Sequence, residues 1–413
     1  MKKIGISLLG LDDIGTSTYK ILTEQKEFYK KSYGVDIEVE CVLEEDKMRI
    51  SDFGISKSKI AENMAEICSN PEIDAVVVAS DGLESARTYA LTALKSGKCV
   101  ITANAELCSR YSVELEGLAK KNNCGLFYGA CFGGLPVIRV LSDCLQANII
   151  TAFTGILDSA YNYALTLMNL NGKSYCEALD EAQKLGFIID DDKSACKLSL
   201  LSKLAFHCNT EVADIYIEQI EGIEAADIAL GKSLGFVLKP LVIGKNTEAG
   251  VELRIHAAFI KESHPLASVN GSSNGIHISR GAVGGLTICC DVSDTMSVAR
   301  ALAGDVLYYA LYDNGAFNTP KYCVPKHITN FESAYYVRMS VKDRAGVLAK
   351  VSSIFNKNGV SLSAVRQESV KSHGEAALVL ITHKARENTV KKILREIDEN
   401  GLAKVASVIK VTD

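Results

Sequence analysis

Through the first 130 residues, short apolar runs alternate with stretches whose apolar positions recur at helical spacing. Lys3–Leu9 reads as a first strand, with a helix from about Asp13 to Gln25 and a second strand over Ile37–Leu43. Asp74–Ala79 (DAVVVA) is continuously apolar, as a parallel strand covered on both faces must be. Ala86, Tyr89, Ala90, Ala93 and Leu94 fall three or four residues apart or adjacent, and Gly97 stops that helix. Cys99–Thr102 predicts a strand, Tyr111–Lys121 a helix and Gly125–Tyr128 another strand. Repeated strand–helix–strand units imply an α/β fold, a doubly wound sheet with right-handed crossovers over residues 1–130.

From about Gly134 the pattern changes. Helical stretches cover 135–147, 159–170, 174–185 and 193–208, and strand-like pieces lie at 149–157, 212–220, 251–260 and near Gly275–Ser279. Residues 131–293 therefore read as an α+β domain. Ser293 and Asp294 are placed to cap a helix over 294–312, whose Val298, Leu302, Val306 and Tyr309 share a face suited to packing back on the first domain. Residues 313–332 carry two of the six prolines and read as a linker. Beyond it, residues 333–413 follow a βαββαβ order, the ferredoxin-like arrangement, with strands at Tyr335–Val341, Ser361–Glu368, Ala376–Thr382 and Val405–Val411. Its helices are Val347–Lys357 and Val390–Asn400.

Composition narrows the function classes. With 45 basic and 50 acidic residues in 413, the formal charge is 45 − 50 = −5, so no basic field exists to hold nucleic acid or an anionic membrane. The opening MKKIGISLLGLDDIG has a basic start and an apolar run, but Asp12 and Asp13 end it as they would end a strand, not a secretory signal. No run of about 18 apolar residues is present to span a bilayer. Thirteen cysteines, an odd number without a C-x-x-C pair, suit buried, reduced thiols in a cytoplasmic protein. The seven histidines lack metal-ligand spacing, so no metal is expected.

The chemistry starts at the first strand–helix turn, Gly10-Leu11-Asp12-Asp13-Ile14-Gly15. It keeps the outer two glycines of a Rossmann-type dinucleotide fingerprint, so Gly10, Leu11, Ile14 and Gly15 are candidates to meet a pyrophosphate. The middle glycine has become Asp12. Like charge at about 4 Å costs roughly 4 kcal/mol at an effective dielectric near 20. That reading crowds the turn. The alternative is that Asp12 or Asp13 caps the helix. Glu44 and Glu45 follow the second strand, where an acid can accept a ribose hydroxyl.

Several segments, in order, resemble homoserine dehydrogenase. They are SLLGLDDIG at 7–15, ESARTYALTALKSGKCVITAN at 84–104, FGGLPVIR at 132–139, GILDSAYNYALTLM at 155–168, EALDEAQKLGF at 177–187, ALGKSLGFVLKPL at 229–241 and HPLASVNG at 264–271. DRAGVLAKVSSIFNKNGVSL at 343–362 resembles an ACT module, a small ligand-sensing domain. The resemblance implies an oxidoreductase using NADP or NAD to interconvert L-aspartate semialdehyde and L-homoserine. It also implies an α+β substrate and dimerisation domain and a homodimer or homotetramer. By position it makes Lys197 the proton donor, with Asp192 as its acid after a one-residue shift. Asn104 then stands near the cofactor, and Gly133, Gly134, Pro136 and Tyr163 at the substrate. In the ACT module, Asp343, Gly346, Val347 and Leu348 form the candidate effector loop, for threonine or another aspartate-family amino acid.

Departures from the family pattern cluster where chemistry is expected. Ala105 stands where the family has lysine, Tyr128 where it has a cation-holding glutamate, and Lys193 four residues before Lys197 in place of aspartate. The glycine-rich loop before the last catalytic-half helix is reduced to CCDVSDTMS at 289–297. Two readings follow: an active homoserine dehydrogenase-type enzyme with altered groups, or a catalytically silent homologue that senses an amino acid. Cys131 is expected to pack, not to act as a nucleophile, Cys289 and Cys290 to sit in a strand interior, and His207 to cap or pack at a helix end.

Overall fold

The computed structural model describes residues 1–80, 82–220, 222–291, 294–312, 322–369 and 375–412. Strands β1 (Lys2–Leu9), β2 (Val35–Leu43), β3 (Ala75–Val78), β4 (Cys99–Thr102) and β5 (Leu126–Phe127) form one parallel sheet in the order β2-β1-β3-β4-β5. Every residue of β3 and β4 is buried, the consequence of apolar side chains pointing alternately to two covered faces. The helices of this half are α1 (Asp13–Glu24), α2 (Lys26–Tyr33), α3 (Lys47–Phe53), α4 (Met64–Ser69), α5 (Leu83–Lys95) and α6 (Ala105–Lys121). The cluster around Ile6, Val77 and Ile101 also takes in Leu302, Val306 and Tyr309.

The remaining helices are α7 (Val137–Arg139, running into a π turn over Val140–Cys144), α8 (Ser159–Asn171), α9 (Tyr175–Lys184), α10 (Asp191–Phe206), α11 (Ala225–Ser233), α12 (Thr295–Tyr312), α13 (Val347–Lys357) and α14 (Glu387–Glu399). Helix α12 packs against α1, and the Phe127 and Tyr309 rings meet at 5.6 Å. Its N-terminus is capped by Asp294, which accepts the Ser297 N–H at 2.8 Å, while Ser293 lies outside the described residues.

The second sheet has eleven strands. These are β6 (Ala152–Ile156), β7 (Tyr216–Ile217), β8 (Phe236–Thr247), β9 (Gly250–Lys261), β10 (Asn274–Ser279), β11 (Gly285–Cys290), β12 (Glu332–Lys342), β13 (Leu362–Ser369), β14 (Glu375–Thr382), β15 (Ala385–Arg386) and β16 (Ala403–Thr412). Its main path is β11-β10-β6-β8-β9-β16-β12-β14-β13. The ferredoxin-like unit therefore does not hang free. Its last strand β16 pairs in parallel with β9, Lys410 opposite Ala258 and Thr412 opposite Ile260. Asp227 of α11 is fully buried at this seam, where it takes hydrogen bonds from Arg338 at 2.6 and 3.1 Å, from Tyr336 at 3.1 Å and from Ser407 at 2.5 Å.

Several expectations need correction. Strand β8, the centre of the second sheet, was not expected; Pro240 breaks its pattern and is tolerated because pairing with β6 begins only at Val242. Helices α2 and α11 and strand β11 were also unforeseen, and the strand expected over 212–220 shrinks to Tyr216–Ile217. Helix α6 starts at Ala105, six residues before the expected Tyr111, because Asn104 caps it. The expected linker is described only from residue 322, where it runs extended and touches the body at Cys323 and His327. Among the described residues, no helix is long and apolar enough to cross a membrane.

Candidate active site and dinucleotide turn

The turn after β1 needs glycine twice. Gly10 has φ +95°, a conformation other residues rarely adopt, and a Cβ on Gly15 would stand 2.1 Å from the Gly10 carbonyl oxygen. Between them Asp12 caps α1, its Oδ1 accepting the Gly15 N–H at 2.8 Å. The capping alternative for Asp12 is thus met: an N-terminal cap is worth about 1 kcal/mol and sets the carboxylate against the positive end of the helix. Leu11 is buried and donates its N–H to Glu44 Oε2 at 2.6 Å, while Ile14 packs beside the core. A cavity of about 320 Å³ opens alongside, lined by Gly10, Asp12, Glu44, Glu45, Arg49 and Ser80 among others. Ser80 belongs to this lining, and its buried Oγ has no hydrogen-bond partner among the described residues.

Lys197 sits in the middle of α10, its Nζ 3.3 Å from the Leu157 carbonyl oxygen at the end of β6. Burial lowers its pKa from the ordinary lysine value, and Asp158 and Cys131 partly offset that. Asp158 caps α8 by accepting the Tyr161 N–H at 3.0 Å. Burial raises its carboxyl pKa, against the Tyr161 N–H and the Lys197 charge. Asp158, not Asp192, is therefore the acid facing Lys197. Asp192 is exposed in the first turn of α10, and five residues of helix put its side chain on another face. Asp190 caps α10 through the Lys193 N–H at 2.9 Å.

A second cavity, of about 390 Å³, lies between the Gly133 loop and α12, with Gly133, Gly134 and Pro136 facing Arg300 and Asp305. Gly133 has φ +58°, which the bend requires. Buried Asp305 accepts the Ala130 N–H at 3.1 Å and pairs with Arg139, whose guanidinium lies 4.1 Å from the Tyr308 ring. Burial raises the Asp305 carboxyl while Arg139 pulls it down. Tyr163 does not line this cavity; it packs on Phe187 with ring centroids 5.3 Å apart. Asn104 spends its side chain on the Leu107 N–H at 2.8 Å. Tyr128 is buried, with its hydroxyl 3.2 Å from Glu116, so it faces the core.

Cys131 is buried and its thiol is pushed well above the ordinary value by burial, as packing requires. His207 ends α10 in a left-handed conformation, φ +54°. Cys289 and Cys290 lie within a strand as expected, but β11 is an edge strand, and Cys289 is exposed and Cys290 half-buried. Cys144, Cys176 and Cys323 are exposed too, against the expectation of uniformly buried thiols. Among the described residues no cluster of three His, Cys, Asp or Glu side chains could hold a metal ion.

In the last unit, Gly346 starts α13 at φ +87° without a side-chain cap, Val347 is buried, and Leu348 is partly exposed. Asp343 is exposed and accepts a hydrogen bond from Gln367 at 3.2 Å.

Asp158, Asp305 and Ser80 escaped the sequence reading. Asp158 carried a signal, an acid directly before a helix; Asp305 carried a fainter one, a lone acid on an apolar helical face.

A glycine-turn dinucleotide sheet joined to a lysine-bearing α+β half is the build of a two-part dehydrogenase. Comparison with known proteins narrows this. Residues 10–129 match the homoserine dehydrogenase NAD-binding domain, residues 136–307 match homoserine dehydrogenase, and residues 335–401 match the ACT domain. The chain is 32% identical to the homoserine dehydrogenase of Helicobacter pylori, covering 96% of each chain. It is 30% identical to that of Corynebacterium glutamicum, over 99% of this chain and 95% of the relative. The crystal structure of a homoserine dehydrogenase from Thiobacillus denitrificans superposes with a TM-score of 0.90 at 28% identity, over 100% of this chain and 99% of that one. The chain belongs to the homoserine dehydrogenase family.

Proposed function

We propose that the protein interconverts L-aspartate semialdehyde and L-homoserine, with a nicotinamide dinucleotide as hydride partner. The observation that carries this is Lys197, a lysine of lowered pKa held beside Asp158 where β6, α8 and α10 meet. The residues fit the dinucleotide: the tight Gly10–Gly15 turn opens on a cavity of about 320 Å³, and Ser80, whose Oγ has no partner, belongs to its wall. When bound, the nicotinamide gives or takes the hydride. Lys197 supplies the proton to the substrate oxygen during reduction and recovers it during oxidation, and Asp158 steadies the ammonium. Gly133, Gly134 and Pro136 shape the neighbouring cavity.

Glu44 and Glu45 favour NAD over NADP, since a 2′-phosphate would meet fixed negative charge. Residues 1–130 and α12 serve the cofactor, 131–293 the substrate and dimer contacts, and 333–413 the effector, an aspartate-family amino acid such as threonine at Gly346. Free thiols throughout support a cytoplasmic setting. The test is oxidation of NADH or NADPH by purified protein on addition of the semialdehyde. Dinucleotide binding without any turnover would overturn the reading in favour of a silent sensor.

A further inference from the structure

Cys208 and Cys323 are 115 positions apart in the chain, yet their sulfurs lie 3.2 Å apart. The backbone places them there. The two residues pair in a parallel bridge, the Asn209 N–H donating to the Cys323 carbonyl at 2.9 Å and the Cys323 N–H to the His207 carbonyl at 3.0 Å. Neighbouring parallel segments lie about 4.8 Å apart, inside the Cα range of about 4.4–6.8 Å that a disulfide tolerates.

We propose that Cys208 and Cys323 are a peroxide-responsive thiol pair, whose disulfide clasps the strap leading to the ACT domain onto the end of the catalytic helix. Cys323 is exposed and Cys208 buried, which sets the order of events. The Cys323 thiolate attacks a peroxide oxygen, the O–O bond breaks, and the departing hydroxide takes a proton to become water. Cys323 is left as a sulfenic acid. The Cys208 sulfur then attacks the Cys323 sulfur; the S–S bond forms, the S–O bond breaks, and the hydroxyl leaves with the Cys208 proton as a second water. Two thiols lose two electrons and one hydrogen peroxide is reduced to two waters. Burial and the adjoining Cys323 sulfur raise the Cys208 thiol pKa, so Cys208 is not the thiol that reacts first.

The strap explains why such a bond matters. Tyr322 lies over Lys203 of α10, with the ammonium 4.4 Å from its ring. Val251 of β9 donates its N–H to the Lys326 carbonyl at 2.9 Å and pairs with His327. Four residues after Ile328 the ACT strand β12 begins. A cross-link at Cys323 fixes the strap that leads from α12 to the sensing unit against the end of Lys197's helix. Cys108 and Cys131 also adjoin, but both are buried away from an oxidant.

The inference is independent of which substrate the enzyme turns over. Reduced full-length protein is treated with hydrogen peroxide, alkylated, digested and weighed. The expected product is a linked peptide containing Cys208 and Cys323, lighter than the sum by two hydrogens and cleaved by dithiothreitol, with a Tm above that of the reduced protein. Cys323→Ser loses both the peptide and the Tm rise. In Cys208→Ser the sulfenic acid persists on Cys323 and is trapped by dimedone. Oxidation of other cysteines without the linked peptide overturns the proposal, as does an undiminished Tm rise in Cys323→Ser.

Discussion

Glu44 ties the dinucleotide turn to the end of β2, its carboxylate accepting the Leu11 N–H at 2.6 Å. The other Glu44 oxygen accepts the Asp46 N–H at 2.9 Å, so the charge is held in place on the cavity wall. Arg49 stands 3.9 Å off, too exposed to neutralise it fully. NADH is therefore expected to bind more tightly than NADPH. Glu44→Gln is expected to narrow the gap by about tenfold, or about 1.4 kcal/mol. Calorimetry with both cofactors checks this; an unchanged ratio would show that another residue reads the ribose.

Lys197→Ala is expected to lower kcat by about a hundredfold to ten-thousandfold, the usual range for a lost acid–base group. Its circular dichroism should match that of the parent protein. In the reductive direction the protonated amine is the active form, so the rate falls as pH rises through the Lys197 pKa. Burial places that limb below the ordinary lysine range. Asp158→Asn removes the charge that holds the pKa up and shifts the limb to lower pH. A limb that stays put in Asp158→Asn would break the link between the two groups.

The sheet of the first half was legible because β3 and β4 write their burial as unbroken apolar runs, and the glycine turn because Gly10 and Gly15 answer local steric demands. Local signals are strong where the neighbours in sequence are the neighbours in space. β8 failed that test: Pro240 disguised a strand whose pairing pattern alone makes it tolerable. The partner of Lys197 was misjudged for the same reason. Asp192 is close in sequence, but Asp158 arrives from the start of another helix, 39 residues earlier. Asn104 shows the same limit: the resemblance sets it near the cofactor, and its capping of α6 stays hidden while the pattern starts that helix only at Tyr111.

The seam between the catalytic half and the ACT unit rests on Asp227, whose carboxylate takes both Arg338 hydrogen bonds together with those of Tyr336 and Ser407. Asp227→Ala takes away the buried carboxylate of Arg338, leaving it only the more exposed Glu224 at 2.9 Å, and strands two hydroxyls at once. The expected cost is about 3 kcal/mol, read as a lower denaturation midpoint. Adding Arg338→Met should recover part of it, because that charge is then gone. Strict additivity of the two losses would mean that the pair does not couple across the seam.

Lys239 offers the clearest pH signature. Its side chain is 2% exposed, with the ammonium held by the Val269 carbonyl and by Asn270 Oδ1 at 2.7 Å, both uncharged. Burial lowers its pKa from 10.5 to about 8. Between those values the unfolded chain binds more protons here than the folded one, so stability rises with pH across the window. The rise amounts to about 3 kcal/mol, and below pH 8 the folded state bears the full penalty of the buried charge. Lys239→Met lacks the titrating group and should show no such rise. The difference in unfolding free energy between parent and variant, measured from pH 7.5 to 10.5 (roughly the span of the shift), should therefore move in favour of the parent as pH increases. A difference that stays flat would place the Lys239 pKa near that of an ordinary lysine, with its ammonium solvated.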